Sequence, residues 1–252
     1  MRFRQIASGV LVGTSHAWST TCTIAGPGGA LVVDGPVSPA DAATLGVRAG
    51  ARELIATHAD WDHLLAPLAF PTARLRADAA TLHRVAAERQ ALAGELAAWD
   101  VDQGLPARRL PDWTAADGLP SDGRIDTAAG PVDIIPAPGH TTDGVAILLV
   151  RQGVLVVGDY LSPVEVPAVD VETGIAVYLA TLARLAPIID AADWVVPGHG
   201  WPLTRARARD VLAADRAYLE RVAATGDAPL PRHIGDPVQR RQHECNRTAA
   251  RA

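Results

Sequence analysis

Apolar positions along this chain form short alternating or continuous runs cut by Gly and Pro, with a few longer stretches at helical spacing between them. Residues 10–12, 21–25 and 30–33 read as short strands separated by turns such as Gly26-Pro27-Gly28-Gly29. The basic start, Met1-Arg2-Phe3-Arg4, leads into the apolar run 6–12. That run is too short for a secretory leader, is broken by Ser8 and Gly9, and reads as the first strand. Ser38-Pro39-x-Asp41 has the form of a helix start: a capping hydroxyl, Pro at the first helical position and an acid in the first turn. The helix should run to about Arg48, and Glu53-Leu54-Ile55-Ala56 then reads as a buried strand, completing a βαβ unit.

The pattern continues in the same way. Residues 64–70 look helix-like, 73–76 a strand, and Asp78 caps an Ala-rich helix reaching about Trp99. Residues 101–122, rich in Pro, Gly, Asp and Trp, predict an irregular loop lying over the site as a lid. Strand character returns at 132–136, 145–150 and 154–157. Residues 172–189 are apolar at Ile175, Leu179, Leu182 and Leu185, the spacing of an amphipathic helix. A short strand at 193–196 and an Arg-rich helix at 203–224 follow. Beyond Gly226 come Pro229 and Pro231, then a polar helical end at 238–250. Strands then helix, twice over, predict an α/β layered domain with a duplicated half across residues 1–225. The extension 226–252 is expected to pack on that domain.

Length adds that 252 residues suffice for one large domain with a substantial core. No uninterrupted apolar run is long enough to span a bilayer, so no membrane association is expected. The net charge of −5 argues against a nucleic-acid surface held by bulk charge. All 23 basic residues are Arg, which excludes lysine nucleophiles, Schiff-base chemistry and a P-loop. Cys22 and Cys245 lie far apart without CxxC spacing, so a disulfide framework is not expected and a reducing compartment, the cytoplasm, is.

The candidate chemistry is concentrated in Thr57-His58-Ala59-Asp60-Trp61-Asp62-His63, directly after the strand that ends at Ala56. His58 and Asp60 are two apart and point to one side in extended backbone. Asp62 and His63 sit where the chain turns. Four donors this close exceed what one tetrahedral centre draws from a single loop, so the run reads as a metal site for two ions. The competing reading is a solvated polar turn. Three later motifs share its character, a strand running into a Gly-containing turn with a metal-capable side chain: Ala137-Pro138-Gly139-His140-Thr141, Gly158-Asp159-Tyr160 and Pro197-Gly198-His199-Gly200. A lone His after a strand is more often a hydrogen-bonded turn residue than a ligand. Four such strand ends in one chain shift the balance, because loops leaving strand ends of a layered α/β fold converge on one face.

In their order these residues resemble the metallo-β-lactamase superfamily, whose pattern is H-x-H-x-D-H, then a lone His, a bridging Asp and a final His. The resemblance spans roughly residues 5 to 200; the tail beyond about Gly226 lies outside it. It implies a four-layer αββα sandwich, here with a short helical C-terminal extension. It also implies one ion held by His58, Asp60 and His140 and a second by Asp62, His63 and His199, with Asp159 bridging and Asp34 supporting the site from behind. The usual second histidine is Asp60 here. The resemblance implies two divalent ions, zinc first; a carboxylate is the harder ligand and carries charge, so Asp60 also admits Fe or Mn.

The implied activity is that of a metallo-hydrolase: a metal-bound hydroxide, oriented by Asp62, cleaving a small ester, thioester or lactone. The lack of a GxSxG elbow agrees with a mechanism that needs no protein nucleophile. A small-molecule substrate is the expected partner. Trp61, Tyr160 and His16, with Trp18 nearby, are candidates for lining the pocket, each equally readable as packing or surface. His243 and Asn246, three apart on one helical face, either reach the site or form a solvated face. Two alternatives remain: a non-haem iron oxidoreductase or dioxygenase on the same fold, motivated by Asp60, and a non-catalytic metal-binding protein.

Overall fold

The structure is a computed structural model that describes residues 1–231 and 237–250. Two mixed sheets face each other. The first runs β1 (Arg2–Ala7), β2 (Val10–Thr14), β3 (Thr20–Gly26), β4 (Gly29–Val33), β5 (Ala51–Ile55), β6 (Arg74–Asp78) and β7 (Asp117–Leu119), in that spatial order. β1 to β4 are antiparallel, and β4 to β7 are parallel. Two of the parallel steps are made through helices, α1 (Pro39–Arg48) and α2 (Ala79–Asp102). The second sheet holds β8 (Gly123–Thr127), β9 (Gly130–Pro136), β10 (Val145–Leu149), β11 (Val154–Val156), β12 (Trp194–Val196) and β13 (Leu203–Thr204). It is antiparallel except for β11 and β12, which are parallel and joined through α3 (Gly174–Ala191).

The alternation of strand side chains separates the layers. Val10, Val12, Cys22, Ile24, Leu31, Val33 and Ile55 from the first sheet meet Val132, Ile134, Val145, Ile147, Val154, Val156 and Val196 from the second in the central core. Their neighbours one residue away point outward. Val32 and Leu54 pack under α1 with Leu45, and Leu155, Ala146 and Val195 pack under α3 with Tyr178, Leu182 and Leu185. Ala56 and Ala77 lie under α2 with Val85, Leu92 and Leu96. The architecture is αββα, as the resemblance implies.

On the outer face of the second sheet, α3 lies beside α4 (Arg205–Thr225) and α5 (Pro237–Ala249). α3 is long and apolar enough by length and composition to cross a membrane. Its sequence is interrupted by Arg184 and Asp190, and Ile175, Tyr178, Leu182, Leu185 and Ile189 are buried against the sheet, which is how a core helix packs.

Several sequence expectations are corrected. The N-terminal run is a two-strand hairpin turning at Ser8-Gly9, because Gly9 takes a left-handed φ of 71°. Residues 64–70 contain no α-helix, only a 3₁₀ turn at Ala66–Leu68 after another at Trp61–His63, the Pro67 ring being compatible with a short turn start. Residues 101–122 are no lid: Trp113 is buried, donates its indole N–H to Leu64 C=O at 3.0 Å, and joins Leu110 in the core under α2. The same stretch supplies the edge strand β7. The start of the 203–224 helix is strand β13, and β8 went unpredicted because only Ile125 in it is strongly apolar. Within the C-terminal extension, residues 232–236 and 251–252 lie outside the described residues.

Candidate metal centre

Each site motif leaves the same edge of the two sheets. β4 ends at Asp34, β5 at Thr57-His58, β9 at the turn bearing His140, β11 at Gly158-Asp159 and β12 at Gly198-His199. Backbone bonds tie these loops together: Val145 N–H donates to Thr57 C=O at 2.8 Å, Gly198 N–H to Gly158 C=O at 2.6 Å, and Thr20 N–H to Gly198 C=O at 2.8 Å. Gly198 is required by crowding, since a Cβ there would run into Asp159 Oδ1 and lie 2.8 Å from His63 Cε1. Gly139 has a φ of 126° and presses on the Tyr178 backbone, so only glycine makes the turn that carries His140.

The ligand-capable atoms fall into two adjoining groups, His58, Asp60, His140 and Asp159 in one and Asp62, His63 and His199 in the other, the atoms within 4.8 Å of one another. In the first, Asp60 Oδ2 is 3.2 Å from His140 Nε2 and 3.5 Å from His58 Nε2. Asp159 Oδ2 is 3.3 Å from His140 Nε2 and 3.9 Å from His58 Nε2. Donors at about 2.0 Å around a tetrahedral ion sit about 3.3 Å apart, so these edges suit a zinc-sized ion. In the second, His199 Nε2 is 3.2 Å from Asp62 Oδ2, and His63 Nε2 is 3.8 Å from it. Asp159 lies between the groups: Oδ2 is 3.4 Å from His199 Nε2, and Oδ1 is 3.1 Å from His63 Nε2.

Every imidazole is held from behind by its Nδ1. His140 Nδ1 faces Ala168 C=O at 2.9 Å and His199 Nδ1 faces Ala17 C=O at 3.2 Å. His63 Nδ1 faces Asp34 Oδ2 at 2.9 Å. His58 Nδ1 lies 3.0 Å from the Thr57 hydroxyl, which donates its own hydrogen to Asp34 Oδ2 and so accepts from the ring. The network therefore assigns Nδ1–H in all four and turns the Nε2 atoms inward, where a metal would take the place of a proton, the arrangement that orients metal-binding histidines. The Nε2 atoms of His58 and His63 and Asp159 Oδ1 are buried without a hydrogen-bond partner. His63 Nε2 and Asp159 Oδ1 are close but not aligned to bond. Polar atoms left this way inside a protein are costly, and a bound cation satisfies them. The donor set fits a metal.

Electrostatics agree with the geometry. Burial opposes ionisation of Asp60, but the His58 charge and the hydrogen bond from His140 hold its carboxyl well below the usual range. Asp159 is also driven well below, its burial outweighed by His199 and His63. Burial would lower the histidines, yet Asp159, Asp62 and Asp34 raise His63 well above its ordinary value, and Asp159 and Glu165 do the same for His199. For His140 burial is overcome by the hydrogen bond to Asp60 and the charge of Asp159, which push it up to about 9. The cluster attracts positive charge strongly, as protons or as metal.

Asp34 serves the motif strand directly. It accepts from Thr57 N–H at 2.8 Å and from the Thr57 hydroxyl at 2.9 Å, besides holding His63. Of the pocket candidates, Tyr160 is buried: its ring packs on Tyr178 with centroids 4.5 Å apart, and its hydroxyl donates to Pro138 C=O and accepts from His140 N–H. Trp61 and the exposed His16 both lie against Trp99, at 5.6 and 5.9 Å between centroids, forming an aromatic group beside the motif. The Trp18 side chain lies outside what the structure describes. Neither His243 nor Asn246 reaches the centre. His243 meets Tyr218 and Asp227, and Asn246 is fully buried against the loop at 167–169.

Sequence reasoning missed several supporting groups. Asp143, three residues after His140, accepts from Ala59 N–H at 2.8 Å and was visible as a further acid in the same turn. Arg84 on α2 pairs with Asp60 at 2.8 Å, and nothing distinguished it among the other arginines. Ala168 and Ala17 act through backbone carbonyls, which leave no side-chain signature.

No protein-family model matches this sequence, and no curated protein matches it. Solved structures do match its fold. A β-lactamase domain protein from Burkholderia ambifaria superposes with a TM-score of 0.71 at 20% identity, covering 98% of this chain and 86% of that one. An archaeal metallo-β-lactamase superfamily protein from Sulfolobus tokodaii gives 0.67 at 15% identity, over 96% of this chain and 98% of that one. The stereoselective inverting sec-alkylsulfatase Pisa1 from a Pseudomonas species gives 0.69 at 14% identity, covering 98% of this chain but 49% of that one. The chain has the metallo-β-lactamase fold, with a His/Asp cluster able to hold metal at the loop edge of its sheets.

Proposed function

We propose that this protein is a dinuclear, zinc-dependent hydrolase acting on a small ester, thioester or lactone. One observation carries the reading: four imidazoles, each anchored at Nδ1, aim Nε2 at the carboxylates of Asp60, Asp62 and Asp159, the donors coming from four strand ends, and buried donor atoms among them have no hydrogen-bond partner. Solved neighbours on this fold include an alkylsulfatase, which supports hydrolysis as the reaction class.

His58, Asp60 and His140 would hold one ion, and Asp62, His63 and His199 the other, with Asp159 shared. Bound there, divalent cations supply Lewis-acid polarisation and lower the pKa of water to about 7. Asp62 engages His199 through Oδ2 and has lone pairs to spare for accepting a hydrogen bond from the attacking water and orienting it. Asp34 and Ala168, Ala17 and Thr57 keep the imidazoles from turning as charge develops. Beside His140 and Asp159 opens a cavity of about 180 Å³, also lined by Glu165, Tyr178 and Gln239. It is smaller than the ~300–1,000 Å³ of pockets for drug-sized ligands, which favours a small substrate. The free thiols of Cys22 and Cys245 agree with a reducing, cytoplasmic location.

The three carboxylates give the iron-dependent oxidoreductase its standing as a second reading. Metal analysis of protein purified without added metal, paired with a panel of thioesters, lactones and esters, separates the two. About two equivalents of zinc with turnover of one of these classes is expected. Iron with substrate-dependent oxygen consumption and no hydrolysis would reverse the assignment.

A further inference from the structure

Asp60 replaces an imidazole with a shorter, charged side chain, yet its Oδ2 stands at donor distance from His140 and His58. Its other oxygen, Oδ1, forms an ion pair with Arg84, 2.8 Å from Nη1. Arg84 reaches the site from the second turn of α2, and its side chain is largely buried. The guanidinium is fixed by more than Asp60. Nη1 also lies 3.2 Å from Asp143 Oδ1, and Nε donates to Glu88 Oε2 at 3.0 Å. Asp143 is buried, and its second oxygen accepts the N–H of Ala59, the residue before Asp60. Arg84 thus grips position 60 by its side chain and, through Asp143, by its backbone.

Two physical consequences follow. A carboxylate whose Oδ1 faces a guanidinium offers Oδ2 as its less encumbered oxygen, which favours monodentate over bidentate binding. The charge of Asp60 is also offset at 2.8 Å by a permanent cation, so the pair is formally neutral, as an imidazole is. We infer that Arg84 is the positioning residue for Asp60, and that the Asp60–Arg84 pair does the work of one neutral, monodentate ligand at the first metal position. The inference rests on the reading of Asp60 as a ligand in the proposed function. It also changes what Asp60 implies about the ion: the extra carboxylate comes with its own counter-charge, and the centre keeps the charge balance of a histidine ligand set.

The test is zinc affinity and stoichiometry, measured on the full chain by competition with a chromogenic chelator, with thermal melting of the metal-free proteins alongside. Arg84→Ala is expected to weaken one of two zinc sites by about 10- to 100-fold, the usual effect of removing a partner that orients a ligand. Arg84→Lys, which keeps the charge but not the fork, is expected to recover part of that loss. In an Asp60→His background the same Arg84→Ala change should alter affinity by less than about 2-fold, because the carboxylate it positions is gone. A merely structural Arg84 would give equal losses in both backgrounds, or a lower melting temperature with zinc affinity unchanged, and either result overturns the inference. If Arg84→Ala does not fold, Arg84→Gln carries the comparison with the same expectations. Asp60→Ala separates the two levels: if it binds two zinc ions as tightly as the parent, the ligand reading of Asp60 fails. If it loses a site while Arg84→Ala does not, only the role given to Arg84 fails.

Discussion

His140 shows how the cluster sets the charge of its members before any metal arrives. Its imidazole sits between Asp60 and Asp159, which raise it to about 9, from an ordinary value near 6.5. A group whose folded pKa is raised stabilises the fold fully below its unfolded value and loses that contribution as pH rises through the folded value. The metal-free protein should therefore melt several degrees lower at pH 9.5 than at pH 6.5, with His63 and His199 acting in the same direction. The lowered carboxylates contribute in the opposite sense, losing stability only in acid, below the usual carboxylate range. Melting curves of chelator-treated protein across pH check this, and a flat profile would mean that the imidazoles are neutral without metal. The donor residues themselves were legible in the sequence, because each sits in a short motif at a strand end. What holds them was not. Ala168 and Ala17 contribute carbonyls, and Arg84 is one arginine of many.

At the level of elements, α5 decides how firmly the loop behind His140 is held. Asn246 accepts from Val169 N–H at 3.1 Å and donates to Pro167 C=O at 2.6 Å, while Gln239 Oε1 accepts from Val166 N–H at 2.7 Å. Between these anchors lies Ala168, whose carbonyl faces His140 Nδ1. The tail thus acts on the centre at one remove, through a loop, and Gln239 also lines the adjacent cavity. Asn246→Ala leaves a buried N–H and a buried carbonyl short of a partner. It should cost about 2 kcal/mol, or roughly 4–8 °C in melting temperature. A change within about 1 °C would show that α5 is only a surface helix. From the sequence, His243 and Asn246 were equal candidates on one helical face; only the packing of α5 against α3 and α4 distinguishes the buried amide from the rim imidazole.

For the molecule as a whole, the centre joins loops from both sheets, so metal should act as a cross-brace. Asp34, His58, Asp60, Asp62 and His63 follow strands of the first sheet, and His140, Asp159 and His199 follow strands of the second. A ligand bound only by the folded state at 100 times its dissociation constant adds about 2.7 kcal/mol per site. Removing both ions with a chelator should accordingly lower the melting temperature by roughly 10–20 °C, about half of that for a single ion, reversibly on adding zinc back. An unchanged melting temperature would mean that the sheets hold the cluster without help.

Alternation of apolar residues along strands made the layer pattern readable from the chain alone, and glycine-bounded motifs at strand ends did the same for the donors. These are local properties, readable within a few residues. Long-range packing was needed to place Leu110 and Trp113 of the 101–122 stretch in the core under α2, to anchor the four site imidazoles at Nδ1, and to bring Arg84 to Asp60. Each of those depends on groups brought together from distant parts of the chain. Arg84 meets Asp60 only because α2 crosses the outer face of the first sheet, and no spacing rule links the two positions.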